Sequence, residues 1–534
     1  MIIFHNANIY APINPDATAL IMDQGSFLAV GSDSEILRSF PDVKACYNLE
    51  GRTIWPGLID AHVHLNHLAE SKAMVDCETD TLEECLSRIK STAENLPKDA
   101  WVRGHGWNQN RWAEGFGTAA QLDSVCGGRP AYLSAKSLHA GWANSKALAL
   151  AGINAQMPDP PSGMIQRDEE GTPTGILFEN DAANLIESII PKPTPDELAL
   201  RIEALIPELW KCGLVGLHDF DGFDCWQALQ ILHDNGRLQL RVRKNIQLEH
   251  MEAFINAGLR TDDGSDLLHL GGVKLFSDGA LGPHTGAMIQ PYEQSDEVGI
   301  LLLTEEEIVT IGKQAIDHGL ALSIHAIGDL ANHVVLNAYE KLRHYERKQG
   351  LPNLRHRIEH VQIIDPVDLP RIAALDIIAS VQPVHAPSDM LIADEFLGER
   401  TKNAYAYRSL WDSGALLILG SDAPVESVNP FQGIHAAVTR RRLDGSPGPE
   451  GWHPEQRLSL EEALAGFSHT PAKAANRGMR LGRIAPGYKA DLLILEEDPF
   501  LLNPHEICQI QPKATFIDGE CVYQAADLPF EFRT

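Results

Sequence analysis

Short apolar runs follow one another along the chain in two different rhythms. Between residues 198 and 476, strand-like runs at 214–219, 240–247, 272–276, 321–325, 356–360, 377–382 and 416–422 alternate with helix-patterned stretches, of which 198–211 is the first. A run at 58–64 opens the series and makes eight. Near-continuous apolar strands separated by amphipathic helices predict a parallel sheet covered on both faces, and eight such units predict a (β/α)8 barrel of the α/β class.

The chain ends read differently. Residues 1–54 carry short strands at 2–4, 19–22 and 25–31, punctuated by turn residues. Residues 477–534 carry strand patterns within 481–495 and 513–523, the second a hairpin about Asp518-Gly519. The C-terminal strands are expected to complete the N-terminal sheet, and the tail from about residue 524 is expected to be loose. Residues 67–197 fit neither rhythm. A helix over 81–96 with Thr81 as N-cap, an aromatic stretch at 104–112 and a Pro/Gly/Asp-rich stretch at 158–175 mark them as an insertion after the first barrel strand. The barrel is then 55–66 with 198–476.

Composition narrows the setting. The 534 residues are 44% hydrophobic and 22% charged, the balance of a globular protein of two or three domains. A net charge of −29 argues against nucleic acid, which is bound through lysine and arginine. No apolar run approaches the ~18 residues that span a bilayer, and residues 1–8 lack the design of a signal peptide. The eight cysteines show no CxxC spacing and predict no disulfide framework. The expected setting is the reduced cytoplasm and the expected partner a small-molecule substrate, without nucleic acid or membrane; a homo-oligomer is compatible with the sequence.

The candidate chemistry sits at predicted strand ends, where parallel barrels carry their reactive groups. His62 and His64 end the first strand at i and i+2, so both imidazoles leave one face, as binding a single metal ion requires. Lys274 lies on the fourth strand, His325 and His360 end the fifth and sixth, and Asp422 ends the eighth. Any one of these has an ordinary structural explanation; one at each of several corresponding positions is much harder to obtain by accident.

The segments PGLIDAHVH (56–64), VKLFSDG (273–279), IHAIGD (324–329), RIEHVQ (357–362), GSDAPV (420–425) and PGYKAD (486–491) resemble the amidohydrolase superfamily over nearly the whole chain, and within it the branch of N-substituted formamide deformylases. The resemblance implies a barrel, a composite β-sandwich built from both chain ends, and an insertion over the barrel mouth. It also implies a centre of one or two divalent metal ions, usually zinc. His62, His64 and Asp422 would hold one ion, and His325 and His360 a second. Lys274, converted to a carbamate by carbon dioxide, would bridge them. The implied activity is hydrolysis of a non-peptide C–N bond in an amide or N-substituted formamide, with Asp422 as general base and acid. Deamination, ester or carbamate hydrolysis, and a regulatory protein without turnover remain alternatives on the same scaffold. Substrate contacts are expected from Trp107 and His139 in the insertion and from His385 after the seventh strand.

Overall fold

The structure is a computed structural model and describes residues 1–109, 111–135, 140–161 and 163–532. It comprises two compact units, Met1–Asn66 with Leu198–Thr534, and His67–Glu197.

The first unit contains an eight-stranded parallel sheet: β1 (Leu58–Val63), β2 (Leu214–Asp219), β3 (Arg241–Gln247), β4 (Leu268–Phe276), β5 (Leu322–Ala326), β6 (Arg357–His360), β7 (Ile378–Val381) and β8 (Leu416–Leu419). Every residue of β1, β2, β6 and β7 is buried, as expected for strands covered by helices outside and side chains inside. The covering helices carry clear boundary signals. Thr304 and Glu307 form a capping box ahead of Glu305–Asp317, and Gly350, at φ 66°, ends Asp329–Gln349 in the left-handed conformation that glycine adopts without penalty. The barrel closes between its first and last strands just where the candidate ligands lie. Val63 bridges Ala423, Asp422 N donates to His62 O (2.7 Å), and His64 N donates to Ala423 O (2.8 Å).

Both chain ends build the sandwich. One sheet of four strands uses Ile2–His5, Ala19–Asp23, Ser26–Gly31 and Ala45–Asn48. A second sheet of five interleaves Asn8–Ile9 and Thr53–Pro56 with Leu492–Leu495, Ala514–Ile517 and Glu520–Gln524. Phe4, Leu20, Phe27, Ile54, Leu492, Ile494 and Phe516 pack between them. Asp518 and Gly519 both have positive φ (49° and 74°), as a two-residue hairpin turn needs. The tail beyond Gln524 is held rather than loose. Phe532 is buried edge-on against Phe4 (5.5 Å) and Phe516 (5.0 Å), and Phe530 packs on Tyr47 (5.5 Å). Two aromatic rings supply enough burial to anchor a segment whose composition reads as a loose end.

Sandwich and barrel share a buried latch. Arg241, at the start of β3, donates through Nε and Nη2 to the two carboxylate oxygens of Asp491, both at 2.7 Å. Both side chains are almost fully buried. Asp491→Ala leaves that guanidinium paired with Asp518, whose Oδ1 lies 2.9 Å from Nη2, and is expected to lower unfolding free energy by about 1.5–3 kcal/mol. Urea denaturation of the variant against the parent checks it.

The second unit is a six-stranded sheet with its own aromatic core. Its strands run in the order Met164–Arg167, Pro173–Phe178, Ala140–Ala143, Ala131–Ala135, Val102–Trp107 and Val75–Asp76. The helix Leu82–Asn95 begins at Thr81, whose hydroxyl accepts from Glu84 N (3.2 Å).

Candidate metal centre

Three histidines at the C-terminal rim of the barrel are gripped by the same ring edge. His62 Nδ1 lies 2.7 Å from Glu359 Oε2, His64 Nδ1 3.1 Å from Asp221 Oδ1, and His360 Nδ1 2.8 Å from Gln382 Oε1. An acceptor at Nδ1 favours the proton there and leaves Nε2 as a donor to metal, the usual arrangement behind a metal-binding imidazole. The Nε2 atoms of His62 and His64 converge on Asp422 Oδ1, at 3.5 and 3.4 Å. His62, His360 and Asp422 each offer a ligand atom within 4.8 Å of the others.

This geometry suits a cation. His62 Nε2 is buried without a hydrogen-bond partner among the described residues, and it faces a carboxylate oxygen. Two electron-rich atoms pointed at each other in a dry site repel unless positive charge lies between them. Imidazole nitrogens with one carboxylate oxygen form the donor set of zinc and related divalent metals.

The protonation pattern agrees. Burial pushes His62 down to about 4, and burial together with the charge of Lys274 pushes His325 down to about 3. Burial also holds His360 well below the ordinary histidine range. All three are neutral imidazoles near pH 7. His64 differs. Burial opposes its charge, but Asp221 and Asp422 outweigh burial and push it up to about 10. A proton and a metal ion therefore compete for His64. Burial favours a neutral Asp422, yet the surrounding imidazoles of His62, His64 and His360 keep its carboxylate ionised well below its ordinary value.

The backbone is strained at two of these positions. His360 (φ 75°) and Asp422 (φ 61°) occupy the left-handed region, at a cost of about 1–3 kcal/mol each. The fold holds both side chains where relaxed strands would not.

Lys274, 2% exposed, extends into the same layer. Its Nζ lies 4.8 Å from the centroid of the Phe220 ring, which stacks on His62 at 4.0 Å. Burial lowers its amine to about 8, against the attraction of Glu359 and Asp422. The His325 ring centroid is 4.6 Å from that of His360. Its orientation is reversed, however: Nε2 lies 2.8 Å from Gly279 O, which leaves Nδ1 as the nitrogen free for another role.

The sequence model of the amidohydrolase family matches residues 45–523. The chain belongs to the amidohydrolase family. Similarity to individual proteins is just as extensive. YtcJ of Bacillus subtilis (strain 168), named as an amidohydrolase, is 31% identical over 98% of this chain and 99% of its own length. The N-substituted formamide deformylase of Arthrobacter pascens is 30% identical over 98% of each chain. The crystal structure of an uncharacterized metal-dependent hydrolase from Pyrococcus furiosus superposes with a TM-score of 0.78 at 28% identity, covering 93% of this chain and 99% of that one. This amidohydrolase is thus an enzyme, a hydrolase acting on carbon–nitrogen bonds.

Within the amidohydrolase barrel, His62, His64, Lys274, His325, His360 and Asp422 all lie at one rim. His385 joins them, its Nε2 3.9 Å from Asp422 Oδ2 and its ring stacked 6.2 Å from that of His360. Trp107 takes a different role from the substrate contact expected of it. It is a fully buried core residue of the insertion unit, donating from Nε1 to Leu133 O (2.9 Å) and stacked on Trp112 (6.2 Å). A tryptophan so enclosed, with its one polar atom satisfied, offers no surface to a ligand. His139 lies outside the described residues. Motif reading passes over Glu359, Asp221 and Gln382, which orient His62, His64 and His360. Glu359 was visible inside RIEH, immediately before His360, but a lone acid beside a histidine carries no spacing rule.

Proposed function

We propose that the protein hydrolyses a non-peptide C–N bond in an amide or N-substituted formamide, using a divalent metal, zinc by preference, held by His62, His64 and Asp422. The observation carrying this is the convergence of the His62 and His64 Nε2 atoms on Asp422 Oδ1 while Nδ1 of each ring is engaged elsewhere. The similarity to a formamide deformylase along almost the full length supports the substrate class. When bound, a divalent metal supplies an acidified water and polarises the scissile carbonyl.

The chain's own groups do the rest. Asp422 Oδ1 faces the two imidazoles, which leaves Oδ2, on the His385 side, to take a proton from the attacking water and return it to the leaving nitrogen. His385 Nε2, buried and without a hydrogen-bond partner among the described residues, is placed to hold substrate oxygen or Asp422 Oδ2 in position. His360, with His325 through Nδ1, would serve a second ion.

Lys274 would complete that second site as a carbamate, its neutral amine adding to carbon dioxide with release of one proton. The amine is protonated below about 8 and neutral above it. Label from 13C-bicarbonate should therefore enter the metal-free protein increasingly between pH 7 and 9, as a carbamate NMR signal that Lys274→Arg lacks. A signal unaffected by that substitution would place the chemistry elsewhere.

The function itself is tested by metal analysis and an amide panel. Bound divalent metal, with release of amine and formate or another acid that chelation abolishes and metal restores, is the expected result. Metal-loaded protein that turns over no amide would overturn the proposal.

A further inference from the structure

Phe276 follows Lys274 by two residues on β4, so both side chains leave the same face of the strand. Its ring centroid lies 4.7 Å from Lys274 Nζ and 5.3 Å from that of His325, its register neighbour on β5. Lys274 is 2% exposed and Phe276 45%. The ring therefore lies beside the donor set, one step nearer solvent. The other aromatic ring against Lys274 has a different environment: Phe220 is fully buried beneath His62. The backbone that follows Phe276 is tied down. Ser277 N donates to His325 O (3.0 Å) and Leu302 N to Ser277 O (2.8 Å), tying down the strand end, and Leu302 is itself 54% exposed.

An aromatic ring left partly exposed beside a polar centre gains free energy when apolar surface covers it. A charged group of either sign arriving there would lose hydration against a surface that offers it no hydrogen bond. We infer that Phe276 sets specificity: the scissile amide carries an apolar alkyl or aryl substituent that packs on this ring, a conclusion that rests on the amide-hydrolysis reading and names the substrate class within it.

The metal-loaded full chain is assayed on two series. One is N-methyl-, N-butyl- and N-(2-phenylethyl)formamide, with N-(2-aminoethyl)formamide as the charged member. The other is the N-methyl amides of acetic, pentanoic and 3-phenylpropanoic acid. kcat/KM is expected to climb about tenfold or more with apolar size in one series, which identifies the side of the C–N bond that the ring covers. Phe276→Ala should flatten that climb, mainly through KM and with metal content unchanged, and Phe276→Leu should keep part of it. An equal climb in Phe276→Ala, or preference for the aminoethyl member, overturns the assignment. Turnover without apolar preference overturns the assignment alone. No turnover in either series overturns the amide-hydrolysis reading as well.

Discussion

Asp422→Asn should lower kcat by about 10²–10⁴-fold, the range that a positioned general acid–base supplies. The substitution is well matched to the site. Asparagine is isosteric and, among residues with a side chain, tolerates the left-handed backbone that Asp422 adopts at φ 61°, so the fold is expected to survive. Its amide cannot accept a proton from water at neutral pH. Two effects must be separated, because Asp422 Oδ1 also faces the Nε2 atoms of His62 and His64. An amide nitrogen there can donate to either imidazole and compete with metal, so affinity for the ion should fall too. Measuring kcat at saturating metal, with ions per chain counted in the same sample, isolates the proton-transfer role. Parent-level kcat in a fully loaded variant would assign the proton to another group, His385 being nearest to Oδ2.

Much of this centre was readable before coordinates, and for a physical reason. Side chains two apart on a strand share a face, so His62 and His64 had to point together, and the apolar strand rhythm fixed which end of the barrel they reached. Orientation was less accessible. Whether a histidine presents Nδ1 or Nε2 depends on what holds the other nitrogen. For His62 and His64 that is a carboxylate from another strand or its following loop. For His325 it is the carbonyl of Gly279, a backbone atom that no residue pattern encodes. The role of Trp107 was hidden in the same way. An aromatic, polar segment reads equally as a ligand wall or a core, and only its packing against Trp112 and Trp142 decides for the core. The positive φ of Asp422 lies where the chain after the last strand bridges back to the first, a contact between residues far apart in sequence.

The groups hidden from sequence lead to the second large effect. Glu359 is fully buried between His62 Nδ1 (2.7 Å) and the guanidinium of Arg357, whose Nη2 donates to Oε2 at 2.8 Å. Burial favours a neutral carboxyl, but Arg357 and His62 hold it ionised well below its usual range. Arg357 is in turn fixed by Ala61 O (2.8 Å) and Ser380 Oγ (2.7 Å). An anionic acceptor at Nδ1 orients the ring and raises the basicity of Nε2, so Glu359→Gln should weaken metal binding by about 10–100-fold. Competition with a chromophoric chelator reads this directly, without any assay of turnover. The same change strips Arg357 of its counter-charge and is expected to destabilise the fold, which could imitate a loss of affinity. Adding Arg357→Met removes the unpaired cation. The double variant should regain stability in urea while its metal affinity stays low, because His62 still lacks its anion. Recovery of affinity together with stability would mean that Glu359 serves the barrel core and leaves the metal ligand untouched.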